Sequence, residues 1–265
     1  MYNASTRRRN CDDNTGTETE SKAEAKSGLL LKSGTFTDYS GRTFNCTAYE
    51  YAYWAKDTHM CRMLEAQMDD DTKAQMSKLI NIIEDKGLAW QQDGKNHQTS
   101  HFDMKPLIDA LQAYVDGYPQ WDKDYSYSAM KAAWMKVGLA QRDLPVHVVN
   151  EYCRPGRSFD PLPAFNEDKL PRILTYYNLN TGAPVSLFPL VVSGSSGLGV
   201  DFALVRCSLP WSVPTRPHAP QRWAVGMDLA AVSRLDEVRT VDLTQSRKNL
   251  ELIEPEPDHR SCLLM

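Results

Sequence analysis

Two cysteines of this sequence stand in contexts that could support chemistry. Cys46 directly precedes Thr47, a residue type that caps helices, and a helix N-terminus lowers the pKa of a neighbouring thiol. His101 with Asp103, or His147, could then supply a general base and its orienting group. This pattern predicts, as one alternative, a soluble cysteine-dependent protease or transferase. The other interpretation is that these residues are ordinary core side chains, because cysteine often behaves as a small buried hydrophobe.

The second cysteine, Cys262, begins the last four residues of the sequence, Cys262, Leu263, Leu264 and Met265. A cysteine followed by two aliphatic residues and a final Met is the signal for prenylation, with a preference for farnesyl. Alternating prolines before it disfavour helix and strand and so favour a flexible tail. We therefore expect a prenyltransferase to modify Cys262 and the lipid to anchor the protein reversibly to membranes.

A second membrane signal is usually needed beside one prenyl chain, and its identity stays open here. The residues just before the motif are acidic (Glu251, Glu254, Glu256, Asp258), and anionic lipid repels such a segment. Near the N-terminus, Arg7–Arg9 lies beside Cys11, and this cluster is either a second membrane signal or a solvated patch.

Several other functions are disfavoured by composition and spacing. The formal net charge is −4, and nucleic-acid binding needs clustered Lys and Arg, so no nucleic-acid partner is expected. His97 and His101 are four apart but lie in a predicted loop without a nearby cysteine, and no metal site is predicted. The glycine-rich stretch 194–199 is followed by a predicted strand rather than a helix, so it indicates a hairpin turn and no cofactor. The segment Arg234–Arg239 alternates in charge and is interpreted as a solvated surface.

The elements that would position these residues begin with helices. Thr47 and Glu50 form a capping-box pattern for a helix to about Met68. A second helix is expected from Asp69–Asp71 to Gly87, a third from Asp103 to Gly117, and a fourth over 128–142.

Strand-like runs follow at 173–179, 185–192, 200–207 and 223–229, with a weaker one at 238–243 and a short helix over 245–253. The predicted class is α+β, with N-terminal amphipathic helices packed against a C-terminal antiparallel sheet. The predicted organisation is a disordered tail over 1–27, one globular domain over 28–253 (helical 47–144, strand-rich 172–243) and a flexible tail over 254–265.

Three segments, Thr35–Phe44, Tyr49–Met60 and Arg234–Asn249, resemble an uncharacterised domain of type IV-secreted effectors from Legionella- and Coxiella-like intracellular bacteria. The resemblance covers about Gly34–Ile253 and assigns no catalytic residue. It implies delivery into the host cytosol without a cleaved signal peptide. It also implies that a host prenyltransferase modifies the tail, since such bacteria lack these enzymes. Host membranes are then the expected partners, with a host protein as a further candidate.

Overall fold

A computed structural model describes residues 28–154, 156–172, 174–178, 182–187, 197–206, 213–214 and 219–251. The predicted tails, 1–27 and 254–265, lie outside the described residues, and so do Arg7–Arg9, Cys11 and the Cys262–Met265 motif.

Helices and short strands make up this part of the chain. The helices are α1 (Ala48–Trp54), α2 (Thr58–Glu65), α3 (Asp70–Lys86), α4 (Lys105–Lys123), α5 (Tyr127–Arg142), α6 (Val146–Cys153) and α7 (Arg222–Glu251). The strands are β1 (Gly34–Thr37), β2 (Thr43–Cys46), β3 (Leu88–Gln92), β4 (Lys95–Thr99), β5 (Thr175–Asn178), β6 (Ala183–Ser186), β7 (Leu204–Val205) and β8 (Val213–Pro214). Within the described residues, no helix is both long and apolar enough to cross a bilayer.

The predicted α+β class is confirmed, because helices pack with an antiparallel sheet. The strands are distributed differently along the chain from the prediction. A four-stranded sheet in the order β1-β2-β3-β4 comes from the N-terminal half, whereas β5–β6 and β7–β8 form separate two-stranded ribbons. The β3–β4 hairpin turns at Asp93 (φ 50°) and Gly94 (φ 73°), an Asp-Gly pair that is typical of tight hairpins.

Helix α7 corrects the predicted C-terminal strands at 223–229 and 238–243. Its buried positions recur every three or four residues, which is the helical period. Three of them, Asp228, Arg239 and Ser246, are polar, and they interrupt the apolar stripe by which a helix is recognised. Leu235 and Arg239 are each 1% exposed, so the interpretation of Arg234–Arg239 as a solvated surface is wrong at these two positions.

The predicted N-terminal helix begins correctly but ends early. The capping box is present, with Thr47 accepting from the Glu50 amide and Glu50 accepting from the Thr47 amide. Lys56 has φ 58°, outside the helical range, and therefore divides the predicted helix into α1 and α2. Asp69 caps α3 and Gly87 ends it, as predicted.

Helix α4 passes beyond its predicted end at Gly117 and continues through Pro119 to Lys123. A proline inside a helix leaves the carbonyl four residues earlier without its usual donor. Here that carbonyl belongs to Val115, and Arg222 Nε donates to it at 2.9 Å. This contact from α7 compensates the missing bond and explains why the helix tolerates the proline.

The buried apolar residues form two clusters, and α7 contributes to both. The first cluster lies among α4, α5, α6 and the first half of α7. The second lies between the four-stranded sheet and α1–α3, and it includes Leu243 and Leu250 near the end of α7.

Candidate functional site

A cavity of about 610 Å³ lies where β1 and β2 meet α1, the start of α2 and the start of α6. Its walls are mainly apolar and include Phe36, Cys46, Tyr51, Ala52, Ala55, Met60 and Val146. Asp57, His147 and Arg172 add polar groups, and Lys32 stands on the same lining. A large apolar concavity with a few polar groups is the usual form of a small-molecule site.

The junction between α1 and α2 positions the acidic residue of the cavity. The left-handed conformation of Lys56 turns the chain, and its Nζ lies 2.8 Å from Asp236 Oδ1 on α7. Asp57 then caps α2 by accepting from the Met60 amide, and it receives Arg172 Nη1 at 2.8 Å and Nη2 at 3.1 Å. Burial raises the pKa of Asp57, but His147 and Arg172 outweigh it and hold that pKa below its usual value.

His147 is the second residue of α6 and is 2% exposed. Burial lowers the pKa of His147 to about 4, although the Asp57 carboxylate opposes the shift. The imidazole is therefore neutral at pH 7. Its Nε2 is buried without a hydrogen-bond partner among the residues that the structure describes. His147 thus holds a bonding position that is unused and is closed off from the cavity surface.

Cys46 lines the same cavity as His147, so the structure brings together two members of the predicted thiol arrangement. The expectation that the helix N-terminus lowers the pKa of Cys46 is wrong. Burial, reinforced by the Glu50 carboxylate, raises that pKa to about 12. At neutral pH the residue is a thiol rather than the thiolate that acts as a nucleophile.

The other two candidates of the thiol arrangement lie outside the cavity lining. His101 Nε2 is 3.3 Å from Glu84 Oε1, and its ring packs on Tyr53. Asp103 Oδ1 accepts from the Lys105 amide at 2.8 Å at the start of α4. His97 lies in β4 and stacks on Trp90 rather than joining His101. Within the described part of the chain, no group of three or more His, Cys, Asp or Glu could hold a metal ion.

A second polar cluster, which the sequence interpretation missed, surrounds Glu151 one turn further along α6. Arg157 Nη1 lies 2.9 Å from Glu151 Oε2, and Arg157 Nη2 lies 2.5 Å from Glu167 Oε1. Arg154 and Arg239 approach Glu151 at 3.8 and 4.0 Å. We call these five residues the Glu151 cluster.

Burial shifts the pKa values of the two most buried members of the Glu151 cluster, Glu151 and Arg239. It raises the pKa of Glu151, against the three arginines that favour the carboxylate. It also lowers the pKa of Arg239, which Glu151 and Asp242 oppose. The cluster joins α6 and α7 to the irregular segment after α6, because Arg239 also donates to the Phe165 carbonyl at 3.2 Å. No apolar period marks these residues, and this is why the sequence pattern did not reveal them.

Comparison with known proteins identifies the relatives of this chain. The sequence profile described as the CBUA0006 C-terminal domain matches residues 106–250. The chain belongs to this family. The uncharacterized protein CBUA0006 of Coxiella burnetii is 39% identical over 244 residues, which cover 86% of this chain and 69% of that protein. No solved structure matches.

The CBUA0006 family assignment confirms the predicted similarity to an uncharacterised Coxiella-like domain. The residues matched by the family profile run from α4 to near the end of α7 and contain the Glu151 cluster. They also contain His147 and Arg172, whereas Cys46 and Asp57 precede them. The cavity is therefore built by the matched region together with the sheet and helices before it.

Proposed function

We propose that this protein is an effector or interaction protein that associates reversibly with host membranes through a prenyl group on Cys262. The observation that carries the proposal is the sequence Cys262-Leu263-Leu264-Met265, which satisfies every position of the prenylation signal and has the final Met that favours farnesyl. Cys262 stands 11 residues after Glu251, the last residue of α7. The motif therefore belongs to a segment beyond the last described helix.

Two further observations support the proposed setting and partners. The relative from Coxiella burnetii supports an origin in this group of bacteria, where the modifying enzyme is a host prenyltransferase. Aromatic side chains stay exposed on the helical part of the surface, with Tyr125 at 76%, Tyr127 at 63% and Trp223 at 53%. Aromatic residues are enriched in protein interfaces, so these positions support a host protein as a further partner.

The attachment that we propose is reversible because one prenyl chain gives only marginal membrane affinity. Glu254, Glu256 and Asp258 precede Cys262, and anionic lipid disfavours this acidic stretch. Either Arg7–Arg9 with Cys11 adds a second signal, or the protein exchanges between membrane and cytosol.

The test is to express the full chain in mammalian cells and to measure its intact mass with and without a farnesyltransferase inhibitor. We expect the mass of one farnesyl group on the untreated protein and its loss under the inhibitor. Cys262→Ser should remove both the added mass and the membrane-bound fraction.

Cys11→Ser is the matched control, because it removes a cysteine from the other tail. It should keep the isoprenoid mass, and a fall in its membrane fraction would identify Cys11 as part of a second signal. An unmodified mass for the wild-type chain would contradict the proposal.

The alternative, a cysteine-dependent enzyme that uses Cys46 with His101 or His147, has weaker support. Cys46 is 4% exposed and its pKa is raised to about 12, so an additional group would have to activate the thiol. His101 pairs with Glu84 instead of facing the cavity.

A further inference from the structure

The cavity between the sheet and α6 is large enough for a single long hydrocarbon chain. An apolar protein cavity of about 150 Å³ holds the six carbons of benzene, or roughly 25 Å³ for each carbon. The fifteen carbons of a farnesyl chain then need roughly 375 Å³. The cavity measures about 610 Å³ and also accommodates the bonds that connect such a chain to a peptide.

The chemistry of the lining matches a chain of this kind. The walls near Phe36, Tyr51 and Met60 are apolar and offer no charge to a ligand. Besides Thr35, Cys46 and Tyr51, the polar residues of the lining are Asp57, His147, Arg172 and Lys32. Asp57 is already bound to Arg172 through two hydrogen bonds. The buried His147 Nε2 stays unpartnered in the described structure. This atom has almost no accessible surface, so the contacts to such a chain are expected to come from the apolar wall.

The C-terminal segment is long enough to bring its own cysteine to the cavity. Thr58 Oγ1 donates to Asp242 Oδ2 on α7 at 3.4 Å, and Thr58 directly follows the cavity residue Asp57. Glu251 is nine residues further along the helix, or about 14 Å. The 11 residues from Glu251 to Cys262 span up to about 36 Å when extended. The acidic residues of that segment also have the opposite charge to Lys32 and Arg172.

We propose that this cavity is the intramolecular binding site for the prenyl group of Cys262. The inference rests on the proposed function, since it takes the lipid of the same chain as its occupant. The cavity and the membrane then compete for one prenyl chain. A change that blocks the cavity releases the prenyl chain to the membrane. The membrane-bound fraction of the protein can then change without removal of the lipid.

The first test measures binding to the full-length, unprenylated protein made in bacteria, so it does not depend on modification in cells. The probe is the methyl ester of N-acetyl-S-farnesylcysteine, with N-acetylcysteine methyl ester and palmitate as comparison ligands. We expect saturable binding of the farnesyl probe with one site for each chain. No binding of N-acetylcysteine methyl ester and weaker binding of palmitate are expected.

Two substitutions change the cavity in different ways. Ala52→Leu adds a larger side chain to its wall, and Val146→Asp adds a charge to its lining. Val146 is the first residue of α6, where an acidic side chain favours the helix, so this variant is expected to fold. Each should weaken binding of the farnesyl probe about tenfold or more.

The matched controls carry the same changes at exposed positions away from the cavity. Ala89→Leu lies on β3, and Val241→Asp lies on α7 at a residue that is 70% exposed. Both should bind the probe like the wild type. Equal affinity of all four variants, or tighter binding of palmitate than of the farnesyl probe, would overturn the assignment of the occupant.

The second test uses the protein from mammalian cells and separates this inference from the proposed function. Absence of the isoprenoid mass on Cys262 would contradict the proposed function. When that mass is present, blocking the cavity should raise the membrane-to-cytosol ratio by up to the factor by which the variant weakens binding of the probe. That factor is about tenfold, and it is reached in full when the wild-type cavity is mostly occupied. An unchanged ratio for both Ala52→Leu and Val146→Asp would overturn the inference alone.

Discussion

His147 and Glu151 lie one turn apart on α6 and are both buried, yet their surroundings handle charge in opposite ways. His147 borders an apolar cavity and stays neutral, because burial lowers its pKa to about 4. Glu151 is surrounded by Arg154, Arg157 and Arg239. Burial of an ionisable group thus has two solutions within one short helix. One is the neutral form, which leaves a bonding position open, and the other is compensation by opposite charges.

The largest effect is expected when the Glu151 cluster loses one of its arginines. Arg239→Ala removes a buried guanidinium that donates to the Phe165 carbonyl, while Arg157 stays paired with Glu151. Truncation of a large buried side chain should lower the free energy of unfolding by about 2–5 kcal/mol. Urea denaturation at pH 7 measures it. Arg234→Ala on the same helix is the control, because its pair with Glu237 is exposed and should contribute about 0–1 kcal/mol. Equal losses of unfolding free energy in Arg239→Ala and Arg234→Ala would contradict the expected difference between the buried and the exposed arginine.

The pH dependence of stability tests whether the buried His147 imidazole is uncharged in the folded protein. The unfolded residue binds a proton near pH 6.5 and the folded one only near pH 4, so the unfolded state binds more protons between these values. Stability is therefore lost as the pH falls through that range, by about 2 kcal/mol between pH 7 and pH 5 for this residue. His147→Leu should remove this part of the dependence, while Asp57, His59 and the nearby arginines remain.

Urea denaturation of wild type and His147→Leu at both pH values gives this difference. The same loss in the two proteins would show that His147 is not the group responsible.

A smaller effect is expected when the charge of the Glu151 cluster is kept but its geometry is altered. Arg157 bridges Glu151 and Glu167 and lies 4.8 Å above the Phe165 ring. A lysine cannot make both ion pairs from one planar group, so Arg157→Lys should cost about 1–2 kcal/mol. Thermal and urea unfolding measure the loss. The control is Arg247→Lys at the exposed pair with Glu251, which should change the free energy of unfolding by less than about 0.5 kcal/mol. Equal losses in Arg157→Lys and Arg247→Lys would show that the net charge matters and the planar geometry does not.

The smallest effect is expected on the cavity side. Arg172 pairs with Asp57, but its side chain is 35% exposed, and ion pairs of this kind contribute about 0–1 kcal/mol. Arg172→Ala should therefore cost no more than about 1 kcal/mol, because Asp57 still accepts from the Met60 amide. Urea denaturation measures the cost. A loss as large as that of Arg239→Ala would place Asp57 in the same class as Glu151.

Local signals in the sequence predicted those elements whose ends are set by nearby residues. Thr47 with Glu50 begins α1, and Asp69 and Gly87 bound α3, as expected from capping chemistry. The Asp93-Gly94 turn carried an equally local signal for the β3–β4 hairpin, but the prediction assigned this stretch to a loop. The conformation of Lys56 has no such signal, because its side chain is held by Asp236, 180 residues away.

The candidate site could be predicted only in part. Cys46 and His147 were recognised as chemically interesting, and the structure places both on one cavity. Their protonation could not be predicted, since it depends on burial by segments distant in sequence. The Glu151 cluster was missed because its charges occupy core positions of α6 and α7, where sequence patterns favour apolar residues.

Helix α7 has a consequence for the order in which the protein can be built. Its first half closes the cluster among α4, α5 and α6, and Leu243 and Leu250 close the cluster beneath the sheet. This helix is about 45 Å long and is the last of the described elements. The ribosome therefore synthesises α7, which packs against both clusters, after the other elements of those clusters. Neither half can complete its packing during synthesis, and the chain is expected to fold cooperatively only when nearly all of it has emerged.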